Sequence, residues 1–208
     1  MLKTLTLGAF QAHCYILTDE ANQNCVLIDP GDEGSRILHK LKKYELMPQA
    51  IFLTHGHIDH IGAIQSLRDA HPDLPIYLHQ QDACFLSDPA LNLSRMIQQP
   101  FIFKQDVTLV EDGAQISVID QTFTYRHLPG HTPGSCMIQV EPLHILFSGD
   151  VLFEGSIGRF DFPLGNTQDT KASLMKIKEM DPSLLVYPGH GNATSLAKEF
   201  AENYYLKS

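Results

Sequence analysis

Cysteine is scarce in this chain of 208 residues, limited to Cys14, Cys25, Cys84 and Cys136. No two of them form a C-x-x-C pair, so the signature of a structural zinc site is missing. A chain of this size buries enough apolar surface to fold without disulfide staples, and a reducing cytoplasm suits it. Cys25 and Cys136 lie in apolar, strand-like runs and read as small buried hydrophobes. Long hydrophobic runs are missing too. No stretch approaches the ~20 apolar residues that cross a bilayer. The alternation Met1-Leu2-Lys3-Thr4-Leu5-Thr6-Leu7 reads as a first strand, where a signal peptide would need a continuous apolar core. Positive charge is short, with 15 Lys and Arg against 24 Asp and Glu and a net charge of −9. A nucleic-acid partner calls for a basic face, so none is expected. No repeat, low-complexity tract or linker divides the sequence. One cytoplasmic domain over 1–208 is the expectation.

Strand patterns fill the first third: 2–7, 14–18 and 25–28, with turn residues at 19–24. Asp29-Pro30-Gly31 stops the third, and Asp32 is placed to cap a helix over 35–44 with Ile37, Leu38 and Leu41 inward. A strand at 50–53 follows Met47-Pro48. Helices are predicted over 61–69 and 80–86, with a strand at 76–78 between them. The stretch 87–105 has no clear period and reads as a loop or partly helical insert over a site. Strands return at 115–119, 123–128, 136–140 and 145–148. A helix over 167–180 with Leu174 and Ile177 inward, a strand at 184–187 and a helix over 193–205 complete an α/β pattern. Two strand-rich blocks, each followed by helices, predict a sandwich of sheets with helices outside.

What is abundant is histidine in one place. Thr54-His55-Gly56-His57-Ile58-Asp59-His60 offers three imidazoles and a carboxylate within six residues. That donor set suits zinc, iron and related divalent cations. Three later strand ends carry one further candidate each: His131 in Pro129-Gly130-His131-Thr132, Asp150 in Ser148-Gly149-Asp150, and His190 in Pro188-Gly189-His190-Gly191. A glycine precedes each of these three, where a tight turn or a close backbone approach is needed. His39 and His71 read as solvated, His127 as a packed strand residue and Asp29 as a structural turn carboxylate.

The order H-x-H-x-D-H, His, Asp, His resembles the metallo-β-lactamase-fold hydrolases. The resemblance runs from Asp29-Pro30-Gly31 to His190, nearly the whole chain. It implies a four-layer αβ/βα sandwich of two mixed sheets with helices outside, and two divalent metal ions at one edge. His55, His57 and His131 would hold the first metal, Asp59, His60 and His190 the second, and Asp150 would bridge them. Zn2+ is expected, and the same ligands accept iron or manganese. A divalent ion lowers the pKa of bound water from 15.7 to about 7, so hydrolysis needs no Ser or Cys nucleophile. Asp59 and Asp150 are the expected catalytic carboxylates, Asp59 orienting the nucleophile with its second oxygen.

Within that fold, Gly149–Arg159 is similar to the matching segment of glyoxalase II enzymes, which cleave the thioester S-lactoylglutathione to D-lactate and glutathione. Arg159 stands where those enzymes place a lysine on the glutathione carboxylate, and a guanidinium pairs with a carboxylate through two bonds. Asn192 replaces their tyrosine, two residues after the last ligand. Only 18 residues follow His190, so their helical C-terminal domain is expected to be lacking, as in the short bacterial branch. A small-molecule thioester is therefore the expected partner, with no nucleic acid or membrane. A lactonase shares all seven ligands, and a mononuclear-iron persulfide dioxygenase uses a subset of them. A true β-lactamase is disfavoured by Asp150, and a flavodiiron reductase by His57.

Overall fold

Strands that are apolar on both faces need cover on both faces, and this requirement builds the architecture. The computed structural model describes residues 1–207. In β2 (Ala12–Thr18), Cys14 and Ile16 point to one side and Tyr15 and Leu17 to the other. β3 (Asn24–Ile28) repeats this, with Cys25 and Leu27 on one side and Val26 and Ile28 on the other. Beside them lie β1 (Leu2–Leu7), β4 (Met47–Phe52), β5 (Ile76–His79) and β6 (Thr108–Val110), giving a sheet of order β1-β2-β3-β4-β5-β6. The first three pair antiparallel and the rest parallel.

The second sheet comprises β7 (Gln115–Val118), β8 (Gln121–His127), β9 (Cys136–Glu141), β10 (Ile145–Gly149), β13 (Leu185–Pro188) and β14 (Thr194–Ser195). Its order is β14-β13-β10-β9-β8-β7, with β10 and β13 parallel. A small hairpin, β11 (Leu152–Phe153) with β12 (Ser156–Ile157), stands apart.

Three buried clusters separate four layers. Phe52, Tyr15 and Ile28 of the first sheet meet Phe123, Tyr125 and Phe147 of the second between the sheets. Helices α1 (Gly34–Lys43) and α3 (Ile64–Ala70) cover the first sheet's outer face through Ile37, Leu41, Ile64 and Leu67. Helices α4 (Thr167–Lys178), α5 (Leu196–Glu202) and α6 (Tyr204–Lys207) cover the second through Ile177, Leu196 and Leu206. The αβ/βα sandwich of two mixed sheets follows. Among the described residues no helix is long and apolar enough to cross a membrane.

Several local expectations need correction. Glu33, in a left-handed conformation, is the N-cap of α1, while Asp32 accepts the Glu33 N–H at 2.6 Å. Pro48 lies inside β4, where the lost donor is absorbed by a register shift opposite Cys25 and Val26. The helix predicted over 61–69 is two: α2 (Ile58–Ile61) and α3. It breaks because the Ala63 N–H bonds to the Pro30 carbonyl at 2.9 Å instead of continuing the helix. Gln80–Leu86 is a 3-10 helix, and the helix predicted over 193–205 is divided into β14, α5 and α6.

Candidate metal centre

Four loops reach the same edge of the sandwich, each from the C-terminal end of a strand. They follow β4 (His55 to His60), β8 (His131), β10 (Asp150) and β13 (His190). Gly149 has φ +48 and faces Thr54 so closely that any side chain there would collide with it. Gly189 is needed for space alone, since a Cβ would strike the Asp150 carboxylate and the His60 ring. The fourth loop is pinned by the His13 N–H to the Gly189 carbonyl at 2.8 Å and by the Tyr15 hydroxyl to the Pro188 carbonyl at 2.6 Å.

All seven candidate ligands come together. Ligand atoms of His55, His57 and His131 lie within 4.8 Å of one another, as do those of Asp59, His60 and His190. His57 Nδ1 and His131 Nε2 face each other at 2.9 Å. Asp59 Oδ2 is 3.3 Å from His190 Nε2 and 3.8 Å from His60 Nε2. Asp150 looks both ways: Oδ2 is 3.6 Å from His131 Nε2 and 3.6 Å from His190 Nε2, and Oδ1 is 3.4 Å from His60 Nε2.

The donors fit a divalent cation. His55 Nε2, His60 Nε2 and Asp150 Oδ1 are buried with no hydrogen-bond partner, a costly state for polar atoms unless something else satisfies them. Burial holds His55 and His131 below the ordinary imidazole range and pushes His57 down to about 3, favouring the neutral, ligating form. His60 behaves oppositely. Burial would lower it, but Asp59, Asp150 and Asp29 outweigh burial and raise it well above its usual range. Burial would likewise raise Asp150, but His60 and then His131 and His190 bring it below the ordinary carboxylate range. This end of the site demands positive charge, which a cation supplies.

Residues outside the ligand set hold it in place. Asp29 does more than stabilise a turn: Oδ1 accepts the Thr54 N–H at 2.7 Å, and Oδ2 accepts the Thr54 hydroxyl at 2.6 Å and lies 3.0 Å from His60 Nδ1. Partners of this kind fix a ligating imidazole's tautomer and aim. Asp29→Ala should weaken metal affinity about 10–100-fold, read by competition with a chromophoric chelator; unchanged affinity would remove Asp29 from this role.

Asp82 had no signal in the sequence. It is fully buried and joins the first two ligand loops. Oδ2 accepts the Gly56 N–H at 2.9 Å and the Thr132 hydroxyl at 2.7 Å, and Oδ1 accepts the Gly134 N–H at 2.6 Å. His131 Nδ1 lies 2.6 Å from the Arg159 carbonyl, a main-chain partner no side-chain pattern could reveal.

The side chains of the two residues expected to contact substrate are paired with groups outside the ligand set. Arg159 is exposed, its guanidinium paired at 2.8 Å with both Asp161 oxygens and lying 4.5 Å from the Phe162 ring centroid. Asn192 is also exposed and donates to Glu154 Oε2 at 2.9 Å. His127 is a packed strand residue, stacked on His79 at 3.9 Å with Nε2 2.8 Å from the Pro133 carbonyl. The stretch 87–105 holds one 3-10 turn, Ser94–Ile97, and brings Leu93 and Met96 to the mouth of the site.

Comparison with known proteins places these observations among relatives. The profile of the Metallo-beta-lactamase superfamily matches residues 7–190. Hydroxyacylglutathione hydrolase GloC of Haemophilus influenzae is 31% identical over 210 residues, covering 100% of this chain and 98% of that protein. Among solved structures, BLEG-1 B3 metallo-beta-lactamase superposes with a TM-score of 0.93 at 37% identity, covering 100% of both chains. TTHA1623 in a di-iron-bound form gives 0.87 at 36% identity, covering 98% of this chain and 100% of that one.

Proposed function

The chain belongs to the metallo-beta-lactamase superfamily, and from that premise we propose that it is a dinuclear-metal hydrolase of thioesters such as S-lactoylglutathione. The observation that carries the dinuclear reading is Asp150, one carboxylate facing His131 on one side and His60 and His190 on the other. His55, His57 and His131 would hold one ion, and Asp59, His60 and His190 the other, with Zn2+ preferred. Two divalent cations supply a water of lowered pKa and polarise the substrate carbonyl.

The chain's own groups do the rest. Asp59 is the more exposed of the two carboxylates, with 17% of its side chain accessible against 11% for Asp150. Asp59 would orient the attacking water through a carboxylate oxygen and take up its proton. The water oxygen bonds to the acyl carbon, the C–S bond breaks, and the leaving thiolate takes the proton held by Asp59. From S-lactoylglutathione the products are D-lactate and glutathione. Similarity to GloC over the whole chain supports a hydroxyacyl thioester. BLEG-1, named as a β-lactamase, restores β-lactams to the test panel despite Asp150. A cytoplasmic location belongs to the same proposal, supported by four free cysteines.

Metal-quantified protein should hydrolyse S-lactoylglutathione, lose turnover to a chelator and regain it with added Zn2+. Turnover of lactones or β-lactams with no metal-dependent cleavage of any hydroxyacyl thioester would overturn the proposal. A second reading has one observation behind it: His55, His60 and Asp150 also place ligand atoms within 4.8 Å, two imidazoles and a carboxylate as in non-haem iron oxygenases. One iron per chain with O2 consumption would favour that reading.

A further inference from the structure

A cavity of about 180 Å³ opens at the metal ligands, and a second of about 400 Å³ lies beside it. Phe10, Ile58 and Asp59 line both, so the two adjoin across these side chains, and together they form a groove whose outer part lies away from the ligands. Ile58, between the candidate ligands His57 and Asp59 in sequence, lines both parts. Beyond it the wall is Ile97, Gln99, Pro100 and Phe101.

This wall is built at some cost. Leu93 and Gln98 flank the 3-10 turn at φ +67 and +56, conformations that non-glycine residues seldom adopt. Buried Asn92 holds the turn closed by donating to the Phe85 carbonyl at 2.7 Å and the Phe101 carbonyl at 3.1 Å. Ser94 Oγ accepts the Phe101 N–H at 2.9 Å. The Ile58 N–H bonds to the Asn92 carbonyl at 2.9 Å, so the wall is fastened directly to the first ligand loop. The result leaves Phe10 45% and Met96 68% exposed at the mouth, and apolar side chains grouped in this way mark binding surfaces.

Charge restricts what the groove accepts. Apart from the candidate metal ligands, its one charged lining residue is Asp32, which is acidic. Glutathione's carboxylates would be repelled by Asp32 there, whereas an uncharged alkyl arm would cover Phe10, Ile97 and Pro100, whose apolar surface is still accessible. We infer that this groove binds the acyl arm of the substrate, and that the substrate class is thioesters with an apolar acyl chain longer than lactoyl. The inference rests on the thioesterase reading for the bond cleaved and on the groove for the arm.

Two measurements separate these. Straight-chain carboxylates from acetate to decanoate, titrated calorimetrically into zinc-loaded protein, should bind more tightly by up to about fourfold per methylene until the groove is full. Ile97→Asp and Phe10→Ser should each flatten this rise. A thioester series on one thiol, N-acetylcysteamine, should show kcat/KM climbing with acyl length in parallel. Affinity independent of chain length, or a slope unchanged in both variants, would overturn the groove even if S-lactoylglutathione is cleaved. A chain-length slope in binding without cleavage of any thioester would uphold the groove and overturn the thioesterase reading.

Discussion

Asp150→Asn should lower kcat/KM by about 10³-fold or more and reduce bound metal towards one equivalent per chain. The substitution preserves volume, so the loss comes from chemistry and not from packing. Asp150 Oδ2 faces His131 and His190 and Oδ1 faces His60, so both anionic oxygens serve the site. An amide offers one neutral oxygen and an NH2 that no cation accepts, so one of these positions loses its ligand atom and the other its charge. Metal analysis and steady-state kinetics on the same sample check this. Full metal content with wild-type turnover would exclude Asp150 from the centre.

Asp82→Ala should destabilise the protein by about 4 kcal/mol, from two buried N–H groups left without acceptors at roughly 1–3 kcal/mol each. For a chain of this size that is a fall in melting temperature of roughly 8–16 °C. The orphaned donors are Gly56 and Gly134, one in each ligand loop, so metal affinity should fall as well. Asp82→Asn should lie between, since either orientation of the amide turns its NH2 towards one of those donors. Its deficit should also depend on pH. Burial pushes the Asp82 carboxyl up to about 6 against the pull of three hydrogen bonds. The folded chain therefore takes up the proton more readily than the unfolded chain. The resulting stability is complete below the unfolded value near 3.9 and is lost as pH climbs through 6. The gap between wild type and Asp82→Asn should narrow over that window in urea titrations. A gap that is flat or widens would contradict the burial argument.

The contrast between Asp150 and Asp82 shows what a sequence can reveal here. Asp150 follows a glycine at the end of a fully buried strand, and a metal ligand must sit within a short loop of known residue types. Asp82 stands alone in Gln80–Leu86, and its partners are 26, 50 and 52 positions away. No local pattern links them. The same holds for Asp29, whose turn was legible but whose reach to His60 across 31 positions was not. In the fold, β2, β3 and β10 were readable because burial on both faces leaves near-continuous apolar runs. Strands of two or three residues, such as β6, β11 and β14, are too short to carry a period. The break between α2 and α3 was hidden because the Pro30 carbonyl, a tertiary partner, captures the Ala63 N–H.

One contact changes what the chain can tolerate. From Asp150 the backbone runs through the β11–β12 hairpin and returns at Arg159 to meet His131 Nδ1 with a carbonyl. Because that partner is main chain, any residue at 159 preserves it. What cannot vary freely is the number of residues between the two points. Replacements at the exposed and half-buried side chains along 151–158 should leave the His131 ring aimed as it is; the exceptions are buried Leu152, Gly155 at φ +71, and Gly158, where a side chain would strike the Asp150 backbone. A single-residue insertion or deletion in the hairpin would carry the carbonyl away from the ring. Outside those three positions this stretch is therefore constrained in length more than in letters.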